Sequence, residues 1–211
     1  MTTSTTAPKE KQKTVIIGDL KLTGYDTRYD GDLTVQGNLI SENKGHQLIV
    51  NGSLEVSGKL ISYGCYIGAE SIKAARVEAY NIEVEHELKA HEVKAEGCVV
   101  AENIEVRADL TASKIWAKGK SCVANRIVAG TLFANDIVAK EINVWGTIEA
   151  GNITAEFIKC NNLQLKEESK LIAKSVITGT YALPLTEWTY DAAKQRYEQS
   201  LTSQTLPLRK D

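Results

Sequence analysis

The chain has 211 residues, 43% of them hydrophobic, and a formal net charge of −2. That length suits one or two domains with a buried core, and the absence of a basic excess speaks against nucleic-acid and anionic-membrane partners. The apolar content is narrow in kind: two Phe and one Met stand against a large majority of Ile, Val, Leu and Ala, a composition fitted to a thin, layered interior.

In chain order, residues 1–13 of MTTSTTAPKEKQKT are polar and read as a disordered tail. The stretch has no apolar h-region, so it is not a secretory signal and the expected location is cytoplasmic. No apolar run approaches the ~20 residues of a membrane span. Cys65, Cys98, Cys122 and Cys160 lie far apart without CxxC spacing, as expected of reduced thiols in a cytosolic protein. Pro occurs at 8, 184 and 207, leaving 14–183 free of the residue that would interrupt a strand ladder.

Residues 32–41, DLTVQGNLIS, match 53–62, SLEVSGKLIS, at an offset of 21, and EINVWGTIEA at 141–150 has the same form. Each reads aliphatic-x-Val-x-Gly-x-aliphatic, with Gly37, Gly58 and Gly146 placed at a bend. The 21-residue offset contains extra residues around Asn43, Lys44, Gly45 and His46, which read as a surface loop.

From Ile72 onward an aliphatic residue recurs, followed two positions later by a small or aliphatic one: Ile72/Ala74, Val77/Ala79, Ile82/Val84, Leu88/Ala90, and so on to Ile115/Ala117, then, after an irregular stretch, from Ile127/Ala129 to Leu163/Leu165. Leading residues are mostly five or six apart. A helix would show a period of 3.6, and a long strand would alternate without breaks. Side chains two apart lie on the same side of a strand, and the intervening Gly, Asn, Asp, Glu and Lys suit tight, wet corners. The pattern therefore predicts one short strand and one corner per unit: an all-β fold, a single parallel β-helix over 14–183. Three faces, at about 16 residues per turn, are favoured over four, and the array gives about ten coils.

Residues 184–211 predict something different. In EWTYDAAKQRYEQSL, Tyr190, Ala193, Tyr197 and Leu201 fall on one stripe of a helix over 187–201, with Thr186 as N-cap and Glu187 in the first turn. The expectation is a C-terminal capping α-helix that brings Trp188 and the tyrosines over the end of the solenoid, followed by a tail.

The Gly-rich segments GDLKLTG, GDLTVQGNLIS and NGSLEVSGKLIS within residues 15–62 resemble the bactofilins, a polymer-forming cytoskeletal family of bacteria. The resemblance implies a right-handed, three-faced parallel β-helix that assembles end to end without nucleotide. Two features depart from it: the expected solenoid is longer than a bactofilin core, and the C-terminal region does not read as a disordered tail.

Candidate chemistry is sparse. His86 and His91, within EVEHELKAHEV, are the only His pair close enough in sequence to suggest metal ligation, but the repeat phase sends them to corners of different faces. His46, in the loop, occupies a position like that of a loop-borne base in solenoid acyltransferases, yet no partner to orient it is visible. Cys160 falls in an inward small-residue slot and reads as inert packing, while the phase at Cys65 and Cys98 is ambiguous. Trp116 and Trp145 lie next to inward residues and so point outward, where indoles favour interfaces. Neither GxxxxGKS/T nor GxSxG is present. No catalytic, cofactor-binding or metal-ligating residue is assigned and no cofactor is expected. The expected function is that of a non-enzymatic scaffold, with a protein partner: a homo-oligomer formed through the N-terminal solenoid edge or a lateral face. A trimeric acyltransferase-like enzyme and a four-faced pentapeptide-repeat-like binding module are the alternatives.

Overall fold

The computed structural model describes residues 12–24, 26–43, 45–118, 121–166, 169–181, 188–191 and 196–200. These form fifteen strands and no helix. In order they are β1 Lys13–Ile17, β2 Leu20–Leu22, β3 Asp26–Tyr29, β4 Asp32–Gln36, β5 Leu39–Ser41, β6 Gln47–Ala95, β7 Cys98–Ala101 and β8 Asn103–Val106. Then come β9 Asp109–Ala117, β10 Ser121–Thr154, β11 Phe157–Leu165, β12 Lys170–Ala173, β13 Ser175–Tyr181, β14 Trp188–Asp191 and β15 Arg196–Ser200. The longest of these, β6 and β10, run through several corners each.

The pairing is parallel throughout β1–β13, and the chain winds through about nine turns of a β-solenoid, close to the ten expected. Register gives the cross-section. Leu88 pairs with Ile104, Val93 with Leu110 and Val99 with Ile115, so each strand meets its neighbour sixteen or seventeen residues on. Three strands fill one turn. The first face stacks Leu33 on Leu54 and Leu88 on Ile104 and Cys122. The second stacks Leu20, Leu39 and Leu60, then Leu110 on Ile127. The third stacks Thr27 on Leu48 and, further along, Ile82, Val99, Ile115 and Leu132.

The core is the inward set of these columns. Large aliphatics such as Leu33, Leu60, Leu88 and Leu110 are fully buried, as are their small companions Ala101, Ala129 and Ala150. A slip of one residue would turn each inward column to water, so the pattern fixes the register.

At the corners, side-chain oxygens of one turn accept backbone N–H groups of the next. Asp19 Oδ1 accepts Asn38 N at 2.7 Å, and Asn38 Oδ1 accepts Lys59 N at 2.9 Å. Asn81 does the same for Cys98 N at 2.8 Å, and Asn152 for Lys170 N at 2.9 Å. The Asn and Asp residues in the corners thus satisfy donors that the strand ladder leaves over. The bend glycines answer to close approach. A Cβ on Gly37 would lie 2.5 Å from Gly18 O, and one on Gly146 would lie 2.7 Å from Gly130 O. Gly37 turns the chain from the first face to the second, whereas Gly146 turns it from the second to the third. The third motif copy therefore does the same local work one corner further on.

The tail expected over 1–13 ends slightly early, because Lys13 already pairs with Asp32 in the first strand; residues 1–11 lie outside the described residues. The capping helix is corrected for the parts of 187–201 that are described. Both are strands: β14 and β15 form an antiparallel hairpin, Trp188 opposite Gln199 and Asp191 opposite Arg196, and β15 pairs antiparallel with β12. The outer edge of Lys170–Ala173 offers backbone partners that a helix could not use, and Thr189, Tyr190 and Tyr197 are strand-favouring residues. The rest of 182–211 lies outside the described residues.

Leu110→Ala is expected to cost about 3 kcal/mol of unfolding free energy in urea titration, and the outward Thr111→Ala less than about 0.5 kcal/mol. Gly146→Ala should destabilise by about 1–3 kcal/mol, because backbone rather than a flexible side chain must yield.

Candidate interaction face

The residues with chemical potential are scattered. His86 sits at a corner, 64% exposed, with Nδ1 3.5 Å from a carboxylate oxygen of Glu102. His91 is exposed at the following corner, and no group of three His, Cys, Asp or Glu among the described residues could hold a metal ion. Cys122 and Cys160 are buried in inward slots, where desolvation pushes their thiols up to about 12 and about 11. Neither is a nucleophile at neutral pH. Cys98 is half-buried on the outside of the third face. The side chain of Cys65 is not among those described.

His46 is placed differently from the sequence expectation. It closes the loop after β5 and is fully buried, not displayed on the surface. Its Nε2 lies 2.9 Å from Thr27 Oγ1 on the preceding turn, and its buried Nδ1 has no partner. Burial lowers its pKa, an effect that nearby Asp26 partly opposes. The imidazole plugs the loop against the solenoid, a role that the sequence does not signal, because only the fold brings Thr27 to it.

The outer surface separates the three faces. On the first, cations and anions meet in ion pairs: Lys73 meets Glu55 at 2.8 Å, and Lys89 meets Glu87 at 2.8 Å and Glu105 at 3.6 Å. An opening of roughly 650 Å³ runs along this ladder, where Lys73 and Lys89 are already paired with carboxylates. The second face is paired in the same way, with Arg76 between Glu78 and Glu92, and Arg126 between Asp109 and Glu141.

The third face is arranged differently. Its central outward column runs Glu83, Val100, Trp116 and Phe133 in direct register. Trp116 is 45% exposed. Lys114 Nζ lies 5.3 Å from the Trp116 ring centre and 5.5 Å from that of Phe133, and Lys118 Nζ approaches Trp116 at 5.9 Å. Lys114 and Lys118 flank Trp116 at two residues on either side, which puts all three outside. Beyond Phe133, Lys166 reaches across two turns to Asn135 Oδ1 at 2.6 Å. Lys114, Lys118, Lys166 and the two rings surround a shallow depression of roughly 330 Å³. On the other side of Val100, towards the N-terminus, the face is acidic, with Glu83, Glu85 and Glu102. Trp145, 59% exposed, stands at the corner between the second and third faces, not in this column.

Compared with the models of known protein families, with curated proteins and with solved structures, the chain matches none. No helix among the described residues is long and apolar enough to cross a membrane.

Because desolvation depresses the His46 pKa, the folded state favours the neutral imidazole. The resulting stability is present above the ordinary His value of 6.5 and is lost as pH falls through it. Thermal melts between about pH 7 and about pH 5.5 should show a loss of stability that is smaller in His46→Leu.

Proposed function

We propose that this chain is a non-enzymatic structural protein, a β-helical rod that self-associates through the exposed first turn at its N-terminal end. The observation that carries this reading is the one-sided pairing of that turn. Among the described residues β1 pairs only with β4, β2 only with β5 and β3 only with β6. Three strands therefore present a row of unpaired N–H and C=O groups, and Ile16 and Leu20 lie only half-buried at the mouth of the core. Ile17 beside them is 85% exposed. An edge of this kind is a template for another chain, and a solenoid end exposes apolar surface that has to be covered. The opposite end is less open, because β15 takes up the outer edge of β12.

The bactofilin resemblance of residues 15–62 supports the same reading and extends it to a polymer-forming, cytoskeletal scaffold of the cytoplasm, a compartment that the unpaired Cys98, Cys122 and Cys160 suit. The hairpin at the C-terminal end is then the element that limits growth, favouring a finite assembly over an unlimited filament. An acyltransferase reading draws no support from His46, whose imidazole is buried against Thr27.

Sedimentation velocity and light scattering across protein concentration, with negative-stain microscopy, test the proposal. The expected result is concentration-dependent assembly, weakened about tenfold or more by Ile16→Lys, which places a charge at the edge, with circular dichroism establishing that the variant keeps its β-structure. A rod that stays monomeric at every concentration and salt condition would overturn it.

A further inference from the structure

The third face differs from the other two in how its charges are arranged. On the first two faces carboxylates and cations meet in ion pairs along the surface. The third face keeps its charges apart: Glu83, Glu85 and Glu102 towards the N-terminus, Lys114, Lys118 and Lys166 towards the C-terminus, with Trp116 and Phe133 between. Lys118 bridges back to Glu83 at 3.8 Å. Among the described residues, however, Lys114 and Lys166 have no carboxylate partner and Glu85 has no cation. Lys114 rests on the two rings instead. A surface acidic at one end, basic at the other and aromatic in the middle is complementary to itself once reversed.

We infer that this face is a self-complementary docking surface on which two copies of the chain pair side by side and antiparallel. A two-fold axis across the face, between the turns of Trp116 and Phe133, sets Trp116 against the partner's Phe133. The same axis maps the turn of Glu83 and Glu85, two turns before Trp116, onto the turn of Lys166, two turns after Phe133. Glu85 and Lys166 both follow the inward pair of their strand, Ile82/Val84 and Leu163/Leu165, by one residue, so they share a side of the face and meet. Glu102 comes to the partner's Gly151, where the missing side chain leaves the depression between Asn135 and Lys166 open to a carboxylate. Among the described residues Glu149 is the one acidic side chain in the basic half of this face, and it faces Val100.

The contact is isologous, so every favourable pair occurs twice. The eight turns that overlap about this axis, at ~4.8 Å each, and a face about 15 Å wide offer about 580 Å² per partner, just under about 1,200 Å² in all, the low end of specific interfaces. Dimerisation that depends on concentration and salt is therefore expected. It shares with the end-to-end reading only the premise that the partner is a second copy, and it needs no sticky end.

The test separates the two. In the full chain carrying Ile16→Lys, sedimentation equilibrium should still find a dimer. Glu85→Lys and Lys166→Glu should each weaken it about tenfold, because each reversal acts at two symmetric contacts. Combining them should restore affinity to within about threefold of the parent, since opposite charges again face each other. Trp116→Asp should abolish the dimer, and circular dichroism would establish that each variant keeps its β-structure. If Ile16→Lys alone gives a monomer, lateral pairing is wrong and the end-to-end reading stands. If the dimer persists but ignores the charge reversals, or the double variant fails to recover, antiparallel pairing on this face is wrong.

Discussion

The whole molecule depends on one packing constraint: each inward side chain rests on an inward side chain one turn away, at the spacing of adjacent strands. Leu on Leu and Ala on Ala recur along each face, as in Leu33 on Leu54 and Ala112 on Ala129. Parallel register makes this possible, and the aliphatic columns make the register obligatory, because any slip exposes a column and buries the outward polar residues. The small partner of each pair matters as much as the large one. Three strands meeting around a narrow axis leave no room for two bulky residues per strand, which accounts for the scarcity of Phe and Met.

The corners obey a related rule. Backbone there comes so close to the turn before that several positions tolerate no side chain, and the donors stranded at the bends are taken by Asn and Asp of the preceding turn. The solenoid thus satisfies its backbone by repetition, except where repetition stops. At the N-terminal end one edge of the first turn is unpaired among the described residues. At the C-terminal end the hairpin of β14 and β15 reverses direction and covers part of the last turn. The two ends of one regular array are therefore chemically unlike.

The same stacking turns outward positions into columns, so that surface chemistry is organised by turn and not by sequence neighbourhood. Ion pairs between exposed residues on the first two faces add little to stability individually. On the third face the column that brings Val100, Trp116 and Phe133 together has Lys114, Lys118 and Lys166 towards one end and Glu83, Glu85 and Glu102 towards the other, with Glu149 among the lysines. Exposed aromatic area beside unpaired charge is the ordinary composition of a contact surface, and here it lies on a rigid sheet.

Read alone, the sequence determined the strand-and-corner unit and the parallel solenoid, favoured three faces over four, and marked the inward residues of 72–117 and 127–165 and the outward direction of Trp116, while the inward pair Cys122/Ala124 lay in a stretch that broke the pattern. All of these rest on interactions within a few residues: two-residue alternation and the bend chemistry of Gly, Asn and Asp. What lies one turn away was not legible, because turns vary from fifteen to twenty-one residues and one irregular corner shifts every later neighbour. Only the tertiary structure put Phe133 beside Trp116, gathered Lys114, Lys118 and Lys166 around them, and folded His46 inward onto Thr27. It also decided the C-terminal segment. There an apolar stripe at helical spacing coexists with strand-favouring residues, and the outer edge of Lys170–Ala173, which no local pattern records, drew the described stretches into a hairpin.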